Sequence, residues 1–557
     1  MRRCTSMREE KEEELIPHPA TLRTSRHPNT RTRPGVIFRH GRVVRKKCLS
    51  SVFFSKSYYS IKALPIRGMQ LGAIAAVFSK SPLDAPRLVA KMLCAMQHRA
   101  QDAAAVAWGE TLESAQSPDL LAASSPGRRA AVGCAFTKIL PDDEAQPVRA
   151  GDGWFCMDGR IVAHGMLVGG ENAARLLELR LTLAEFPSIY HDVDGAYALC
   201  WCTDDNLLVT RDSLGLKPMF IGSRDDLVAV ASDRKALWSV GIGEATTFPP
   251  GGCLKASSRA MTVESSRPEL ETARTSAHQK VDAERLRLLL TESISIQTAG
   301  LGTVAAGFSG GLDSAVIARI AEDLGIEVHL VTVGIGRTPE MNHAESTART
   351  LGLPIVAREF SRNDVTECLD RVLWLIEEPN LMKVSIAMAI YWTTQAALQN
   401  GRPVVMLGQG SDELFGGYRR FATIMGERGE DAASEAISES IRRAHEVNYQ
   451  RDEQAISGLR AELRLPFATR KITEFASRVP LAMKVRSPSD NVRKWILREV
   501  AIKLGIPSEI AMRPKKAIQH ASGVEEAIRE IARKHGLTAS DYLEQRYQTI
   551  KDEVCPS

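Results

Sequence analysis

The sequence FSGGLDS, at residues 308–314, decides how the surrounding chain folds. It follows a run of small apolar residues, TVAAG at 303–307, which predicts a buried strand. The next residues, AVIARIA at 315–321, have helical spacing, so the motif lies on a turn from a strand into a helix. Two glycines allow close approach to a ligand, Ser309 and Ser314 add hydroxyl donors, and the first helical turn presents unpaired N–H groups. This combination predicts a site for phosphate or pyrophosphate.

The loop is not a Walker A loop, because no Lys follows the glycines. Its pattern, S-G-G-x-D-S, instead resembles the pyrophosphate-binding loop of ATP pyrophosphatases, which cleave ATP to AMP and pyrophosphate. An ordinary glycine-rich turn is the alternative interpretation. The resemblance implies that Asp313 binds Mg²⁺, since Mg²⁺ on phosphates usually takes one or two carboxylates.

Length and composition indicate a soluble globular protein of two or three domains. The chain has 557 residues, of which 44% are hydrophobic and 25% are charged. No apolar run is as long as a membrane span, and the ten cysteines include no C-x-x-C pair, which predicts reduced thiols of a cytoplasmic protein. Residues 1–68 hold 16 Lys or Arg and five Glu, so they account for the net charge of +5 and the rest carries about −6. Charge therefore gives no support for nucleic-acid binding.

Residues 1–68 are rich in Arg, Ser, Thr and Pro and show no sustained periodicity. This composition does not predict a packed core. We expect a disordered basic leader or a start assigned too early; the second, with the true initiator at Met69, is favoured.

From Gly72 onward, short apolar runs separated by turn residues predict a sandwich of antiparallel sheets. A helix is predicted at 85–97, and strands at 73–78, 103–108, 130–136, 153–158, 196–201, 206–210, 219–221 and 227–231. The sequence HRAQD at 98–102 resembles the H-R-G-x-D motif of class II glutamine amidotransferases. The sequence RDSLGLKP at 211–218 resembles their R-D-x-x-G-[IL]-[KR]-P turn, and ASDRKAL at 231–237 with PPG at 249–251 resembles the asparagine synthetase branch.

Beyond residue 283 the pattern alternates between helix and strand, which predicts a parallel sheet with helices on both faces. The predicted helices are 283–297, 340–351, 365–376 and 385–397, and the strands are 303–307, 328–333, 355–360 and 403–407. Ligands of such sheets bind at the carboxyl ends of the strands, where Ser309, Gly334 and Gly408 are expected. From about residue 430 the chain is predicted to be mainly helical.

A second motif, GQGSDELFGGY at 408–418, also follows a predicted strand. Asparagine synthetases read S-G-E-G-[AS]-D-E-[LV]-F-G-G-Y at this place. With the upstream motifs, the chain resembles glutamine-hydrolysing asparagine synthetase from Gly72 to about Gly523. The resemblance implies a multidomain α/β and α+β protein, with an N-terminal antiparallel β-sandwich flanked by helices (Ntn-hydrolase-like) and a C-terminal parallel-sheet adenine-nucleotide α-hydrolase-like (PP-loop) domain. The expected domains are 69–257 (amidotransferase-like), 258–282 (linker), 283–535 (synthetase) and 536–557 (C-terminal tail).

The resemblance also implies a reaction. ATP activates a carboxylate as an acyl-adenylate, pyrophosphate leaves, and ammonia attacks to give an amide and AMP. The implied catalytic residues are Lys515, in the R-P-K-K segment at 513–516, with Asp313 and Gln409. The implied nucleotide-binding residues are Phe308, Ser309, Gly310, Gly311, Asp313, Ser314, Val333, Leu407 and Gly408, and the implied Mg²⁺ ligands are Asp313 and Asp412.

Four departures from the family pattern change the expectation. Gly72 stands where the family has its N-terminal nucleophilic Cys, so thioester chemistry is not expected. Asp158 replaces the Asn of the oxyanion segment, which adds negative charge where an oxyanion would form. Gln409 replaces a Glu, and the sequence EEPNLMK at 377–383 lacks the usual Thr/Arg-rich pattern. We therefore predict an inactive glutaminase and a carboxylate that need not be aspartate.

The predicted function is an ATP-dependent, amide-forming ligase, with aspartate as the default substrate, using ATP and Mg²⁺. Two alternatives stay open: a related synthetase or β-lactam-synthetase-like cyclase with another carboxylate or amine, and a non-catalytic nucleotide-binding relative. The expected partners are a small-molecule carboxylate and ammonia, without nucleic acid or membrane, and glutamine is not expected to serve. The oligomeric state is left open, with a homodimer as one alternative.

Overall fold

Two antiparallel sheets and one parallel sheet organise the chain. The structure, a computed structural model, describes residues 70–99, 102–139, 146–182, 184–265, 282–514 and 522–554. All of these belong to one unit, residues 64–557. The predicted leader with Met69, most of the predicted linker, and Lys515 with Lys516 lie outside the described residues.

The two antiparallel sheets pack face to face in the first half of the described chain. In spatial order, the first sheet runs through Thr246–Thr247, Phe220–Arg224, Leu227–Ala231, Gln70–Leu83, Arg128–Lys138, Ala103–Trp108 and Thr111–Ala115. The second runs through Met261–Ser265, Gly252–Ser257, Asn206–Arg211, Gly195–Cys202, Gly153–Ala163 and Val148–Ala150, with Met166–Val168 paired to Gly153–Ala163. The predicted sandwich is confirmed.

Helices cover the outer faces of this sandwich. Strand Gln70–Leu83 shows why: Ala73, Ala75 and Val77 point to a core shared with helices, whereas alternate residues such as Ile74 point to the core between the sheets. The helices of this half are Ala85–Ala95, Gly170–Leu177, Ser188–Asp192 and Arg234–Ser239. The result is a helix–sheet–sheet–helix arrangement.

The second half contains the predicted parallel sheet. Its order is Ile355–Phe360, Glu327–Ile335, Thr303–Gly307, Val404–Met406 and Glu462–Arg464, and every pair is parallel. We call Thr303–Gly307 the central strand. The helices are Ala283–Thr298, Leu312–Asp323, Pro339–Leu351, Arg362–Ile376, Leu381–Gln399, Ser411–Phe415, Arg419–Arg428, Glu430–Ala444, Gln450–Ile456, Arg470–Arg478, Trp495–Lys503, Ser508–Ala511, Val524–Lys534 and Ala539–Val554, with a π-helical turn at His445–Tyr449. No helix of the described residues has the length and apolarity needed to cross a membrane.

The sequence analysis missed the edge strand Glu462–Arg464, which lies in the part of the chain that was expected to be mainly helical. The strand has only three residues, two of them charged, so it shows no apolar alternation typical of a strand. The strand is nevertheless buried, because the Glu462 carboxylate accepts hydrogen bonds from both Arg160 and Arg464. Tertiary ion pairing thus decides this element.

Two predicted boundaries differ from the observed elements. The segment predicted as a linker, 258–282, begins with strand Met261–Ser265, which pairs with Gly252–Ser257; its side chains are mostly exposed, so it lacked an apolar signal. The segment predicted as a tail, 536–557, contains helix Ala539–Val554. That helix packs against Arg362–Ile376 and buries Leu543 completely, so it belongs to the folded body.

Candidate functional site

The predicted phosphate loop leads from the central strand into helix Leu312–Asp323. Gly311 directly precedes the helix, so the unpaired N–H groups of the first turn lie at the loop. Gly310 has a φ of +68°, and a Cβ atom on it would lie 2.8 Å from a ring carbon of His343. The Nε2 atom of His343 is 3.0 Å from the Gly310 carbonyl oxygen. His343, which the sequence analysis did not single out, therefore packs against the turn that only glycine fits.

Two carboxylates, a serine and a lysine meet beside this loop. The Lys494 ammonium donates to both oxygens of Asp313 at 2.7 Å and lies 2.6 Å from Oδ1 of Asp412. The Ser411 hydroxyl donates to Asp313 at 2.8 Å and accepts from Lys494 at 3.0 Å. We call Asp313, Ser411, Asp412 and Lys494 the Lys494 cluster. The lysine side chain is 2% exposed but the carboxylates are 15% and 13% exposed, so the cluster presents acceptors to a ligand.

The carboxylates of this cluster fit a magnesium ion that is shared with phosphates. In such sites Mg²⁺ takes one or two protein carboxylates and completes its octahedral shell with phosphate and water. No group of three or more His, Cys, Asp or Glu able to hold a metal occurs within the described ranges. Asp313 and Asp412 supply the two carboxylates that such a phosphate-bound ion takes from a protein.

Two glycines make room for the cluster. A Cβ atom on Gly417 would lie 1.8 Å from Oδ1 of Asp412 and 2.2 Å from Cε of Lys494. A Cβ atom on Gly408 would lie 3.0 Å from Cβ of Asp313. The glycines of the second motif thus allow close packing of the carboxylates and the lysine.

Lys494 was missed by the sequence analysis. It precedes helix Trp495–Lys503 in a left-handed conformation, with φ of 55°, and Arg493 before it has φ of 53°. The Asp490 carboxylate accepts hydrogen bonds from the backbone N–H groups of Val492 and Arg493 and so supports this turn. Helices usually begin after Ser, Thr, Asp or Asn, so a Lys before a helix start gave the sequence analysis no signal of a site.

Arg498 connects this helix to the segment that precedes Lys515. Its guanidinium donates to the carbonyl oxygens of Ala511 at 2.5 Å and of Arg513 at 3.0 Å, and also to that of Val492. Burial lowers the pKa of Arg498 to about 10, although Asp313 opposes the shift. The predicted catalytic Lys515 itself lies outside the described residues, but Arg498 holds the chain that leads to it against helix Trp495–Lys503.

The predicted nucleotide-binding residues lie along the same edge of the parallel sheet. Phe308 is buried, and its N–H donates to the carbonyl oxygen of Val331 at 2.7 Å. Val333 lies on the neighbouring strand Glu327–Ile335, and Leu407 follows strand Val404–Met406. The structure thus brings these residues together with the loop.

Gln409, which stands where the family has a carboxylate, lies beside a buried acid. The Asp452 carboxyl group is fully buried and lies near the Gln409 side chain. The pKa of Asp452 is raised because the group is buried, and Arg451 and Gln409 offset part of that rise. A Glu at position 409 would place a second negative charge beside this buried group, whereas the amide of Gln409 can donate to it.

The positions predicted to have lost amidotransferase chemistry lie in the sandwich. Gly72 is buried within strand Gln70–Leu83 and pairs with Phe136. A Cβ atom on Gly72 would lie 2.2 Å from the carbonyl oxygen of Ala135. There is consequently no room for a side chain at this position without a shift of the neighbouring strand.

Arg99 and Asp158 are engaged by other charged groups. Arg99 donates two hydrogen bonds to Asp233, at 2.8 and 3.1 Å; burial would lower the pKa of Arg99, but Asp233 raises it above its usual value. Lys217 lies 3.7 Å from Asp158 and also pairs with Glu453 of the second half. All five side chains are buried. We call Arg99, Asp158, Lys217, Asp233 and Glu453 the interface network.

Comparison with known proteins agrees with both motif sets. A family model described as asparagine synthase matches residues 285–455 and 425–549, and one described as a glutamine amidotransferase domain matches 132–239. A predicted glutamine-hydrolysing asparagine synthetase 1 of Methanocaldococcus jannaschii is 31% identical over 411 residues, covering 65% of this chain and 75% of that protein. The chain belongs to the asparagine synthetase family.

More distant members of the asparagine synthetase family match over similar lengths. The glutamine-hydrolysing asparagine synthetase B of Escherichia coli is 25% identical over 368 residues, covering 62% of this chain and 65% of that protein. The glutamine-hydrolysing asparagine synthetase 1 of Saccharomyces cerevisiae is 23% identical over 440 residues, covering 68% and 75%. The chain thus spans less than two thirds of the E. coli protein. The predicted family is confirmed; it is a family of ATP-dependent ligases.

Proposed function

We propose that this protein adenylates a carboxylate, aspartate by default, and transfers ammonia or another amine to it. A carboxylate oxygen attacks the α-phosphorus of ATP, and the bond to the β-phosphate breaks, which releases pyrophosphate. The nitrogen then attacks the acyl carbon, the bond to AMP breaks, and a nitrogen-bound proton is lost to water. The products are an amide, AMP and pyrophosphate.

The observation that carries this proposal is the convergence of the Lys494 cluster on the 308–314 loop. The loop N–H groups with Ser309 and Ser314 would bind pyrophosphate, and Asp313 with Asp412 would hold Mg²⁺. When bound, Mg²⁺ neutralises charge on the phosphates. Lys494 would position the two carboxylates for Mg²⁺, because its buried ammonium lies against both of them. Family resemblance assigns stabilisation of the adenylation transition state to Lys515.

We infer that glutamine is not the nitrogen donor. The close approach of the Ala135 carbonyl leaves no space for a nucleophilic side chain at Gly72. At the expected oxyanion position, the buried Asp158 carboxylate would repel negative charge. Arg99 pairs with Asp233, so its charge is already neutralised within the fold. These features support a structural role for the amidotransferase-like half.

The amide of Gln409, where asparagine synthetases have a Glu, favours a second candidate, a ligase for a carboxylate other than aspartate. An amide at position 409 recognises a different group from the Glu that asparagine synthetases have there. A cyclase that forms an internal amide is one form of this candidate. Ammonium dependence separates it from an asparagine synthetase, because a cyclase needs no external amine.

Pyrophosphate release by the purified full chain with Mg-ATP tests the proposal. Carboxylic acids are supplied one at a time, aspartate first, each with ammonium or with glutamine. We expect carboxylate-dependent release with ammonium and none above background with glutamine. Pyrophosphate release that does not depend on any of the acids would contradict adenylation of a carboxylate. Acid-dependent release with glutamine in place of ammonium would contradict the inferred loss of glutaminase activity.

A further inference from the structure

The peptide that joins Gly310 to Gly311 lies in the middle of the 308–314 loop, and its orientation decides what the loop presents to a phosphate. This peptide is trans, so its C=O and N–H bonds point in opposite directions. One orientation directs the Gly311 N–H at a bound anion, and the reverse orientation directs the Gly310 carbonyl oxygen at it. Only the first attracts phosphate, because the N–H is a hydrogen-bond donor and the carbonyl oxygen is an acceptor.

The two glycines do not choose between these orientations. Neither has a Cβ atom, so the steric limits that restrict other residues are absent on both sides of the peptide. The property that lets a ligand approach closely therefore also leaves the peptide free to rotate. A group outside the loop has to hold the peptide if the donor is to be in place before the ligand arrives.

His343 supplies that contact. Its Nε2 atom lies 3.0 Å from the Gly310 carbonyl oxygen. A carbonyl oxygen only accepts hydrogen bonds, so Nε2 carries the hydrogen and donates it. The bond turns the Gly310 carbonyl towards helix Pro339–Leu351, which carries His343. The backbone of that helix is equally close, since a Cβ atom on Gly310 would lie 2.9 Å from Cα of Ala344.

The imidazole ring is itself held in a defined place. Its helix begins at a capped end, where the Thr338 side chain accepts a hydrogen bond from the Met341 N–H at 3.2 Å. One turn beyond His343, the buried Thr347 places its hydroxyl oxygen 3.1 Å from the same Nε2 atom. The donor to the loop therefore belongs to a fixed side chain on a regular helix.

The opposite side of the loop is open to a ligand. Gly310 is buried, whereas Ser309 is exposed and Gly311 is partly exposed. No group of the described residues accepts a hydrogen bond from the Gly311 N–H, which points away from His343. This N–H thus joins the unpaired donors at the start of helix Leu312–Asp323.

We propose that His343 is a positioning residue for pyrophosphate, which holds the Gly310–Gly311 peptide with its N–H directed at the phosphates that leave ATP. This inference rests on the proposed function, because it names the group that orients one donor of the same site. The effect passes through the peptide, so His343 itself requires no contact with the nucleotide. Loss of the His343 donor should therefore weaken ligands that contain pyrophosphate and spare AMP, which lacks it.

Equilibrium binding of Mg-pyrophosphate and of AMP to the full chain tests the proposal without requiring turnover. His343→Leu keeps apolar bulk beside Gly310 but removes the donor. We expect it to bind pyrophosphate roughly tenfold more weakly than the wild type, the order of loss when one hydrogen bond to a charged group is not made, and to bind AMP equally well. His343→Gln places an amide N–H near the position of Nε2 and should recover most of the pyrophosphate affinity.

His329→Ala is the matched control. The His329 ring contacts Glu327 and Arg402, and no contact of the described residues joins it to the loop. We expect its affinities for pyrophosphate and AMP to equal those of the wild type. Melting temperatures identify any variant that fails to fold, and the comparison of His343→Leu with His343→Gln then stands on the folded proteins.

Carboxylate-dependent ATP–pyrophosphate exchange gives a second readout that a general loss of stability would not produce. In His343→Leu we expect the KM for pyrophosphate to rise roughly tenfold and the KM for the carboxylate to stay unchanged. Pyrophosphate affinity equal to that of the wild type, equal weakening of pyrophosphate and AMP, or no recovery in His343→Gln would overturn the proposal. A wild type with neither exchange nor pyrophosphate binding would instead overturn the proposed function.

Discussion

The Lys494 cluster and the interface network contain the same kinds of side chain, acids and bases held close together, but they differ in what their charges face. In the Lys494 cluster, both carboxylates are partly exposed beside a loop with unpaired N–H groups. In the interface network, each charge is buried and faces another side chain of the fold. Charged residues at family motif positions therefore indicate chemistry only where they remain open to a ligand.

The largest expected effect concerns the Lys494 cluster. Asp313→Asn removes the charge but retains the shape, so we expect AMP formation to fall roughly 1,000-fold or more while the melting temperature stays close to that of the wild type. The measurement is AMP formation with a saturating carboxylate and amine. AMP formation equal to that of the wild type would show that the Lys494 cluster, like the interface network, has no catalytic role.

Glu462→Ala tests whether the ion pairs between the two halves stabilise the fold. Removal of one partner leaves Arg160 and Arg464 with an uncompensated buried charge, so we expect a loss of about 3–5 kcal/mol in the free energy of unfolding. Chemical denaturation measures it. Glu171→Ala is the control, because Glu171 forms an exposed pair with Arg175, and such pairs contribute about 0.3–0.5 kcal/mol.

The same residue gives a prediction about pH. Burial would raise the pKa of Glu462, but Arg160 and Arg464 lower it to about 2, from 4.5. Because the folded pKa is the lower one, this stabilisation is present above pH 4.5 and is lost as the pH falls towards 2. Glu462→Gln should lose less stability than the wild type across that window. If the stability of both proteins fell equally with pH, ionisation of Glu462 would not stabilise the fold.

Gly417→Ala sharpens the comparison at the Lys494 cluster without changing any charge. The added methyl group must displace Asp412 or Lys494, since its position would lie 1.8 Å and 2.2 Å from their atoms. We expect AMP formation to fall about 100-fold, the order of loss that follows a displacement of about 1 Å in an active site. Gly302→Ala serves as the glycine control, because a Cβ atom on Gly302 would meet no atom within 4 Å.

The smallest expected effect concerns the lost nucleophile. Gly72→Cys should not restore glutaminase activity, and it should destabilise the fold by about 1–3 kcal/mol, because its Cβ atom would press on the Ala135 carbonyl. Ser81→Cys, exposed on the same strand, should leave stability nearly unchanged. Glutamate release from glutamine by Gly72→Cys would show that the site is intact apart from its thiol.

The sequence predicted the parallel sheet and the family because local patterns determine both. The central strand and the loop of 308–314 are short-range features, and their apolar pattern and glycines are visible without tertiary contacts. Strand Glu462–Arg464 could not be predicted, because it depends on Arg160, about 300 positions away in the chain. Lys494 was missed for a similar reason: its role arises only where a left-handed turn brings it to Asp313 and Asp412.

The departures from the family pattern were visible in the sequence, but their causes were not. Gly72 and Gln409 were recognised as replacements by alignment with family motifs. Only the fold shows that the Ala135 carbonyl occupies the space beside Gly72 and that Asp452 lies beside Gln409. The roles assigned to the site residues, Lys515 included, stay predictions.

Carboxylate-dependent ATP–pyrophosphate exchange tests the central claim most directly, because it reports adenylation without requiring the amine. The assay compares the wild-type full chain with Asp313→Asn, in the presence of Mg-ATP, labelled pyrophosphate and the panel of carboxylic acids. We predict exchange that depends on one acid in the wild type and falls to background in Asp313→Asn. Exchange absent with every acid, or unchanged in Asp313→Asn, would contradict the assignment of the Lys494 cluster as an adenylation site.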